Sequence, residues 1–356
     1  MHSISIDRVP VSNLANIDLN NTPFGRVFTD HMFTADYIDG KWTNLNIGPV
    51  VDFRIHPGNL TLHYAQSIFE GMKVCIDDGG TPLLLRHDMH IKRLNRSAER
   101  MCMPEVPESM FEDALRTLVN LEKDWIPSKP GSALYIRPYM FATDEFIGVA
   151  ASQTYKFVIL TLPVGPYYDK PVNLKAETEF VRAAPGGVGD AKTAGNYAAS
   201  IYPAKKAREQ GYDQVLWLDG KEFKYIQEVG TMNIFFVIGD TVVTPAFNGA
   251  ILHGITRDSI IQILRDEGHT VEERNISIDE VVEAHQKGEL KEVFGTGTAA
   301  VVSLVKNIGY KGTDYSIDVD SFKIAPFAKD YIAKVRRGQI EDTRGWIVRV
   351  EDAVTV

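Results

Sequence analysis

The chain has 356 residues, 44% of them hydrophobic and 24% charged, and a formal net charge of -9. At roughly 100–200 residues per domain this length suggests two domains, with cores large enough to need no disulfide staple. The acidic balance argues against a nucleic-acid protein, which needs a basic face for phosphates. No stretch approaches ~18 uninterrupted apolar residues, so no membrane span is expected.

Residues 1–60 read as irregular or strand-like, with many turn formers, among them Asn20-Asn21, Pro23 and His56-Pro57-Gly58-Asn59. Helical spacing then predicts a helix over Met89–Met101, with Leu94, Ala98 and Met101 on one face, and a second over Glu108–Trp125, striped by Phe111, Leu115, Leu118 and Leu121. Aromatic and β-branched runs predict strands over Ala133–Thr143 and Lys156–Pro163. Gly165–Asn173 has turn residues and no period, which marks the core of an interdomain linker. Asp213–Asp219 reads as a strand, and Asn233–Ile238 with Thr241–Thr244 as a hairpin around Gly239-Asp240. Helices are expected at about Arg257–Glu267, at Asp279–His285 behind a capping-box-like Ser277 to Glu280, and over Asp320–Arg336. Strand clusters and helices mix without strict alternation, which favours two α+β domains over a doubly wound parallel sheet.

Several stretches could carry chemistry. In Gly186–Asn196 only Lys192 has a long side chain, and its small neighbours let a ligand come close. Such a lysine can attack a cofactor aldehyde, although a flexible loop with a solvated lysine has the same composition. Gln227-Glu228-Val229-Gly230-Thr231-Met232-Asn233 sets a carboxylate at the entry to an apolar strand. Glu228 could face a ring nitrogen or simply sit at a strand edge. Leu252-His253-Gly254-Ile255-Thr256-Arg257 precedes a helix, and Phe294-Gly295-Thr296-Gly297-Thr298-Ala299 offers glycine-freed amides and hydroxyls. Either could cradle a phosphate. Arg137 shares a strand face with Tyr135 and Tyr139, a setting in which an arginine can fork onto a carboxylate. Arg93 lies on a basic helix face, for which solvation is the plain alternative. His87-x-x-His90 lacks the further ligands that a metal site requires. The two cysteines, Cys75 and Cys102, are expected to be free, buried thiols in a reducing compartment. The amino terminus has no signal-peptide pattern, so the cytoplasm is the default location.

Taken together and in order, FGRVFTDHMF, HYAQSIFEGMK, IKRLNRSAERMCMP, ALYIRPYMFATDEFIGV, GGVGDAKTAGNYAAS, QEVGTMNIFFV, ILHGITRDS and EVFGTGTAA resemble the branched-chain amino acid aminotransferases, of the class IV pyridoxal-phosphate aminotransferase family. The resemblance runs from about Pro23 to Leu304, most of the chain. It implies an α+β fold of two α/β domains with the cofactor between them. The expected division is residues 1–164 as the smaller domain, 165–180 as linker, and 181–356 as the larger domain carrying the cofactor lysine.

Carried over residue by residue, the family pattern implies that Lys192 is catalytic and links to pyridoxal 5'-phosphate. Glu228 would pair with the pyridine nitrogen and Tyr197 with the ring hydroxyl, while Arg93, Ile255, Thr256 and Thr298 hold the phosphate. Thr231 and Ala299 would take the substrate α-carboxylate. Phe24, Tyr64, Phe69, Tyr135, Tyr167 and Met232 would line an apolar pocket, with Arg137 reserved for a second carboxylate. Ile147 and Val149 match a loop that caps the neighbouring subunit's pocket, which implies a homodimer. The implied reaction is exchange of an amino group between L-leucine, isoleucine or valine and 2-oxoglutarate in a ping-pong cycle, in amino-acid biosynthesis. Ala300 and Ser303 stand where some animal relatives carry a redox-sensitive cysteine pair, so no thiol switch is expected there. The rivals are a D-amino-acid aminotransferase or an aminodeoxychorismate lyase on the same fold, and a binding protein that keeps the cofactor site without turnover.

Overall fold

The computed structural model describes residues 3–19, 22–165 and 170–351. The chain divides into two units, one of Met1–Tyr167, Ala191–Ala194 and Ala333–Val356, the other of Tyr168–Asp190 and Gly195–Ile332. Among the described residues, each contains one nine-stranded sheet.

In the first unit the strands are β1 (Ser5–Ile6), β2 (His31–Ile38), β3 (Lys41–Pro49), β4 (Ser67–Phe69), β5 (Met72–Ile76), β6 (Pro82–Leu85), β7 (Ala133–Ala142), β8 (Tyr155–Val164) and, from the far end of the chain, β18 (Ile347–Arg349). Their order is β1-β3-β2-β8-β7-β5-β6-β18, with β4 also paired to β7. The long β7–β8 ladder runs antiparallel from Ala133↔Val164 to Ala142↔Tyr155. Period-two alternation gives the sheet two unlike faces. Leu134, Ile136, Met140, Phe157 and Ile159 pack into the core with Leu94 of α2 (His87–Arg100) and Phe111, Leu115 and Leu118 of α3 (Glu108–Leu121). Each such fully buried side chain contributes roughly 1.5–3 kcal/mol. Tyr135, Arg137 and Tyr139 alternate with these residues and belong to the other face. The short α1 (Leu60–Tyr64) is capped by Asn59, whose side chain accepts from Thr61 N–H.

The second unit holds β9 (Val172–Ala176), β10 (Gln214–Leu218), β11 (Ile226–Val229), β12 (Asn233–Ile238), β13 (Thr241–Thr244), β14 (Thr270–Glu273), β15 (Leu290–Gly297), β16 (Val301–Tyr310) and β17 (Thr313–Ser316). The order is β11-β10-β9-β16-β15-β12-β13-β14, with β17 on β16. Its sheet is mixed, since β9 runs parallel to both β10 and β16. The helices are α4 (Ala194–Glu209), α5 (Ile255–Asp266), α6 (Ile278–Gln286) and α7 (Ile324–Arg336); the first residue of α4 and the last four of α7 fall in the first unit. The expected hairpin forms between β12 and β13, with Gly239 at φ +57°.

Several expectations need correction. The single cut at 165–180 does not describe the observed units, which interleave. β18 hydrogen-bonds to β6 and Val350 enters the first unit's core, so residues 347–350 belong with the amino-terminal sheet. Residues 191–194 join it as well, because Thr193 bridges Ile68. α3 stops at Leu121, and Lys123–Trp125 forms a separate 3-10 turn. The predicted helix start at Asp320 is likewise a 3-10 turn, Val319–Ser321, ahead of α7. Cys75 is buried but Cys102 is exposed. α4 carries no apolar stripe, burying only Asn196, Pro203 and Ala207, and periodicity does not reveal it.

Candidate active site

The candidate residues fall into one group in each unit. In the first unit Lys192 lies on a segment fixed at its backbone. Its carbonyl accepts from Phe69 N–H at 3.0 Å, and its own N–H donates to Ser97 Oγ at 2.9 Å. Thr193 Oγ1 donates to the Ser67 carbonyl at 2.8 Å. The lysine backbone is thus strapped to the edge of β4, with its Nζ 4.8 Å from the centroid of the Phe69 ring.

Ser97 also donates to the Arg93 carbonyl at 3.0 Å, which ties the lysine strap to α2. Arg93 is buried, with Nε 2.6 Å from Glu70 Oε1 and a terminal nitrogen 2.9 Å from Oε2. Glu70 therefore takes two of the five N–H donors of a guanidinium, in a fork. The same carboxylate accepts from His90 Nδ1 at 2.7 Å. Burial pushes the Glu70 carboxyl up, but Arg93 and His90 outweigh it and hold it well below the usual carboxylate range. Burial also lowers His90, against the pull of Glu70 and with help from the charges of Arg93 and Lys192. His87, the other histidine of the spaced pair, contacts Glu112 instead.

On the other face of β7, Arg137 donates to the Tyr135 hydroxyl at 3.0 Å. Its guanidinium sits 4.7 Å from the Phe69 ring centroid and 5.3 Å from that of Tyr135. Its Nε is buried with no partner among the described residues, an arrangement that costs stability unless an acceptor arrives. Phe24 meets Tyr135 edge-on at 5.2 Å. A Cβ at Gly71 would stand 1.9 Å from the Tyr135 hydroxyl, so only glycine lets this ring lie where it does. Phe24 and Tyr64 are partly exposed, and Ile147 (67% exposed) and Val149 (90%) lie fully at the surface. Tyr167 lies outside the described residues.

In the second unit Glu228 is paired across β10–β11 with Trp217 and is only 3% exposed. Its Oε1 accepts from Leu252 N–H at 2.7 Å, and its Oε2 lies 3.2 Å from Arg182 Nε. The turn after Glu228 is tight. Val229 and Met232 exchange backbone hydrogen bonds at 2.8 and 2.9 Å, and Gly230 takes φ +55°. This leaves Thr231 exposed at the tip and Met232 buried. Tyr197 lies half-buried in the first turn of α4.

Two turns of the second unit suit an anion. α5 begins after Gly254 with no side-chain cap, so the first-turn amides of Ile255 and Thr256 lack the partner that a capping side chain supplies. The approach is close, because a Cβ at Gly254 would stand 1.9 Å from Asn233 Oδ1. The second turn follows β15. A Cβ at Gly295 would come within 2.9 Å of both Met232 and Val229, and the Thr296 hydroxyl is buried without a partner among the described residues. Thr298 and Ala299 are half-buried beyond it. Each unit by itself holds groups of the kind that pyridoxal phosphate requires, an amine on a fixed backbone and a buried arginine in the first, a buried carboxylate and uncapped helix amides in the second, and the residues present fit it by their chemistry.

Sequence reasoning missed Glu70 as the partner of Arg93, Ser97 as the anchor of Lys192, and Arg182. The spacing of His90, Arg93 and Ser97 places them on one face of α2 and could have pointed to the first two. Arg182 carries no local signal.

The profile of the family described as Amino-transferase class IV matches residues 67–308. "Branched-chain-amino-acid aminotransferase 2" of Bacillus subtilis (strain 168) is 48% identical over 338 residues, covering 94% of this chain and 93% of that protein. A branched-chain-amino-acid aminotransferase of Mycobacterium tuberculosis is 41% identical over 342 residues, covering 93% of each. Among solved structures, the Escherichia coli branched-chain amino acid aminotransferase superposes with a TM-score of 0.74 at 27% identity, over 90% of this chain and 99% of that one. The T.th. branched-chain amino acid aminotransferase complexed with N-(5'-phosphopyridoxyl)-L-glutamate gives 0.72 at 25%, over 89% of this chain and 98% of that one. With this likeness over nearly its whole length, and with a donor set suited to the cofactor, the chain belongs to the class IV aminotransferases as a pyridoxal-phosphate-dependent branched-chain amino acid aminotransferase.

Proposed function

We propose that the enzyme exchanges an amino group between L-leucine, isoleucine or valine and 2-oxoglutarate in two half-reactions, as a cytoplasmic homodimer in amino-acid biosynthesis. The observation that carries this reading is the strapping of Lys192 between Phe69 N–H and Ser97 Oγ, which fixes the backbone of the one lysine in a run of small residues. Lys192 is the residue that links to the cofactor. Bound pyridoxal phosphate supplies an electron sink for charge developing at the substrate α-carbon. The Lys192 amine would move the proton at that carbon. Glu228 faces the pyridine nitrogen and keeps it protonated, and Tyr197 meets the ring hydroxyl. Arg93, the amides of Ile255 and Thr256, and Thr298 hold the phosphate. Glu70 orients the Arg93 fork, because its own two oxygens already fix two edges of the guanidinium.

Thr231 and the Ala299 amide take the α-carboxylate. Phe24, Tyr64, Phe69, Tyr135, Tyr167 and Met232 receive the apolar side chain. Arg137 receives the second carboxylate of glutamate, a role supported by its buried Nε, which has no partner among the described residues. The exposed Phe146, Ile147 and Val149 support a loop that meets a second copy of the chain.

The test is an absorbance titration of the cofactor-loaded protein. L-leucine should remove the visible cofactor band and D-alanine should not. Lys192→Ala should lose the half-reaction by roughly 10²–10⁴-fold or more. A response to D-alanine alone would move the enzyme to the D-amino-acid group. In the same assay Arg137→Leu should lose about 10²-fold in kcat/KM for L-glutamate, as expected when one partner of a desolvated charge pair is removed, and should change little with L-leucine. Equal losses would sink the role of Arg137.

A further inference from the structure

Glu228 stands in the second unit where water hardly reaches, and a carboxylate in such a place is costly unless paired and hydrogen-bonded. One of its oxygens is served by the Leu252 amide. The other lies 3.2 Å from Arg182, itself buried. The same guanidinium donates through its terminal nitrogen to the carbonyl of Gly189 at 3.2 Å and to that of Ala250. Three stretches of backbone therefore meet at one arginine: the loop that runs on to Lys192, the strand that carries Glu228, and the loop that leads into α5. They meet tightly, since a Cβ at Gly189 would stand 2.4 Å from the Ala250 carbonyl oxygen and 2.5 Å from Ala183 Cβ. Arg182 Nε makes no hydrogen bond among the described residues, so it meets Glu228 as an ion pair: a fixed positive charge beside the second carboxylate oxygen.

We propose that Arg182 is a positioning residue of the transamination, which holds the Glu228 carboxylate charged and aimed, and couples it to the Ala250–Leu252 loop ahead of the phosphate-facing turn. The inference rests on Glu228 as the partner of the pyridine nitrogen. Arg182 touches no reacting atom. It acts through the charge of Glu228, which decides how strongly the ring nitrogen keeps its proton.

The test compares Arg182→Gln, Arg182→Lys, Glu228→Gln and the double variant Arg182→Gln with Glu228→Gln. The readouts are the dissociation constant for pyridoxal phosphate, the pH midpoint of the visible cofactor band, and the melting temperature of the cofactor-free protein. Arg182→Gln should bind the cofactor about tenfold more weakly and displace the midpoint in the direction seen for Glu228→Gln. It should add nothing to the midpoint once Glu228 is glutamine. Arg182→Lys keeps the charge but loses the planar donors that reach the Gly189 and Ala250 carbonyls, and should show a smaller displacement of the same sign. If the glutamine variant does not fold, an unmoved midpoint and affinity in the lysine variant overturn the proposal. It also falls if Arg182→Gln lowers only the melting temperature of the cofactor-free protein. A midpoint that moves in Glu228→Gln but not in Arg182→Gln overturns this inference alone. A midpoint unmoved in Glu228→Gln overturns the role of Glu228 itself.

Discussion

Lys73 shows how one residue's charge and its place in a sheet can conflict. It and Cys75 share a face of β5, and Lys73 is 7% exposed. Burial lowers its amine to about 7, the like charge of the buried Arg336 adds to the effect, and Cys75 opposes it. In the unfolded chain the same amine keeps its ordinary value near 10.5. Below about pH 7 both states are charged and the folded protein bears the whole cost of burying the ammonium. As pH rises from about 7 towards 10.5 the folded state releases its proton first, and stability increases. Lys73→Met should therefore raise the melting temperature by a few degrees at about pH 6.5 and by less at about pH 9.5, measured by thermal denaturation. The reverse order would show that the amine keeps its charge in the fold. At this scale the sequence exposes reactive residues but not the partners that place them. Lys192 stands out among small neighbours, whereas the serine that holds it lies 95 positions away.

Among the elements, legibility followed amphipathicity. α2 and α3 each bury one clean stripe, and spacing located them to within a few residues at either end. α4 has Pro203 inside it and buries few side chains, so neither period nor propensity announces it. α6 opens as expected, with Ser277 Oγ accepting from Glu280 N–H at 3.0 Å. The Glu280 side chain turns instead to Arg274, 2.6 Å away. α7 is held by a device that no local pattern reveals. The Glu292 carboxylate, on β15, accepts from the amides of Lys323, Ile324 and Ala325 at 2.6, 2.8 and 2.8 Å. It serves the orphan donors of the helix start from another strand. Glu292→Gln keeps the size but has only one acceptor oxygen, and should cost about 1–3 kcal/mol in a denaturant titration. A change within about 0.5 kcal/mol, typical of a surface site, would show that the cap is dispensable.

For the molecule as a whole, the class of fold was legible because strands and helices mix without strict alternation along the chain. Its division into units was not. Composition marks a single turn-rich stretch near residue 165, whereas the units interleave along the chain. Nothing in composition shows that Ile347–Arg349 returns to the amino-terminal sheet, because pairing across some 260 residues of chain is decided by the open edge of β6 and not by the sequence of β18 alone. The interleaving also explains why residues 191–194, flanked on both sides by second-unit chain, carry a lysine that is strapped to β4 of the first.

That return sets the order in which the molecule can be completed as it leaves the ribosome. Synthesis runs at about 5–20 residues per second, and domains generally close as they emerge. The second unit has its full set of strands once residue 316 has appeared. The first unit, although begun earliest, keeps one sheet edge bare until Ile347–Arg349 and Val350 arrive. The amino-terminal half of the chain is therefore the last to be sealed, and the bare edge of β6 is the surface that a nascent chain must keep from its neighbours.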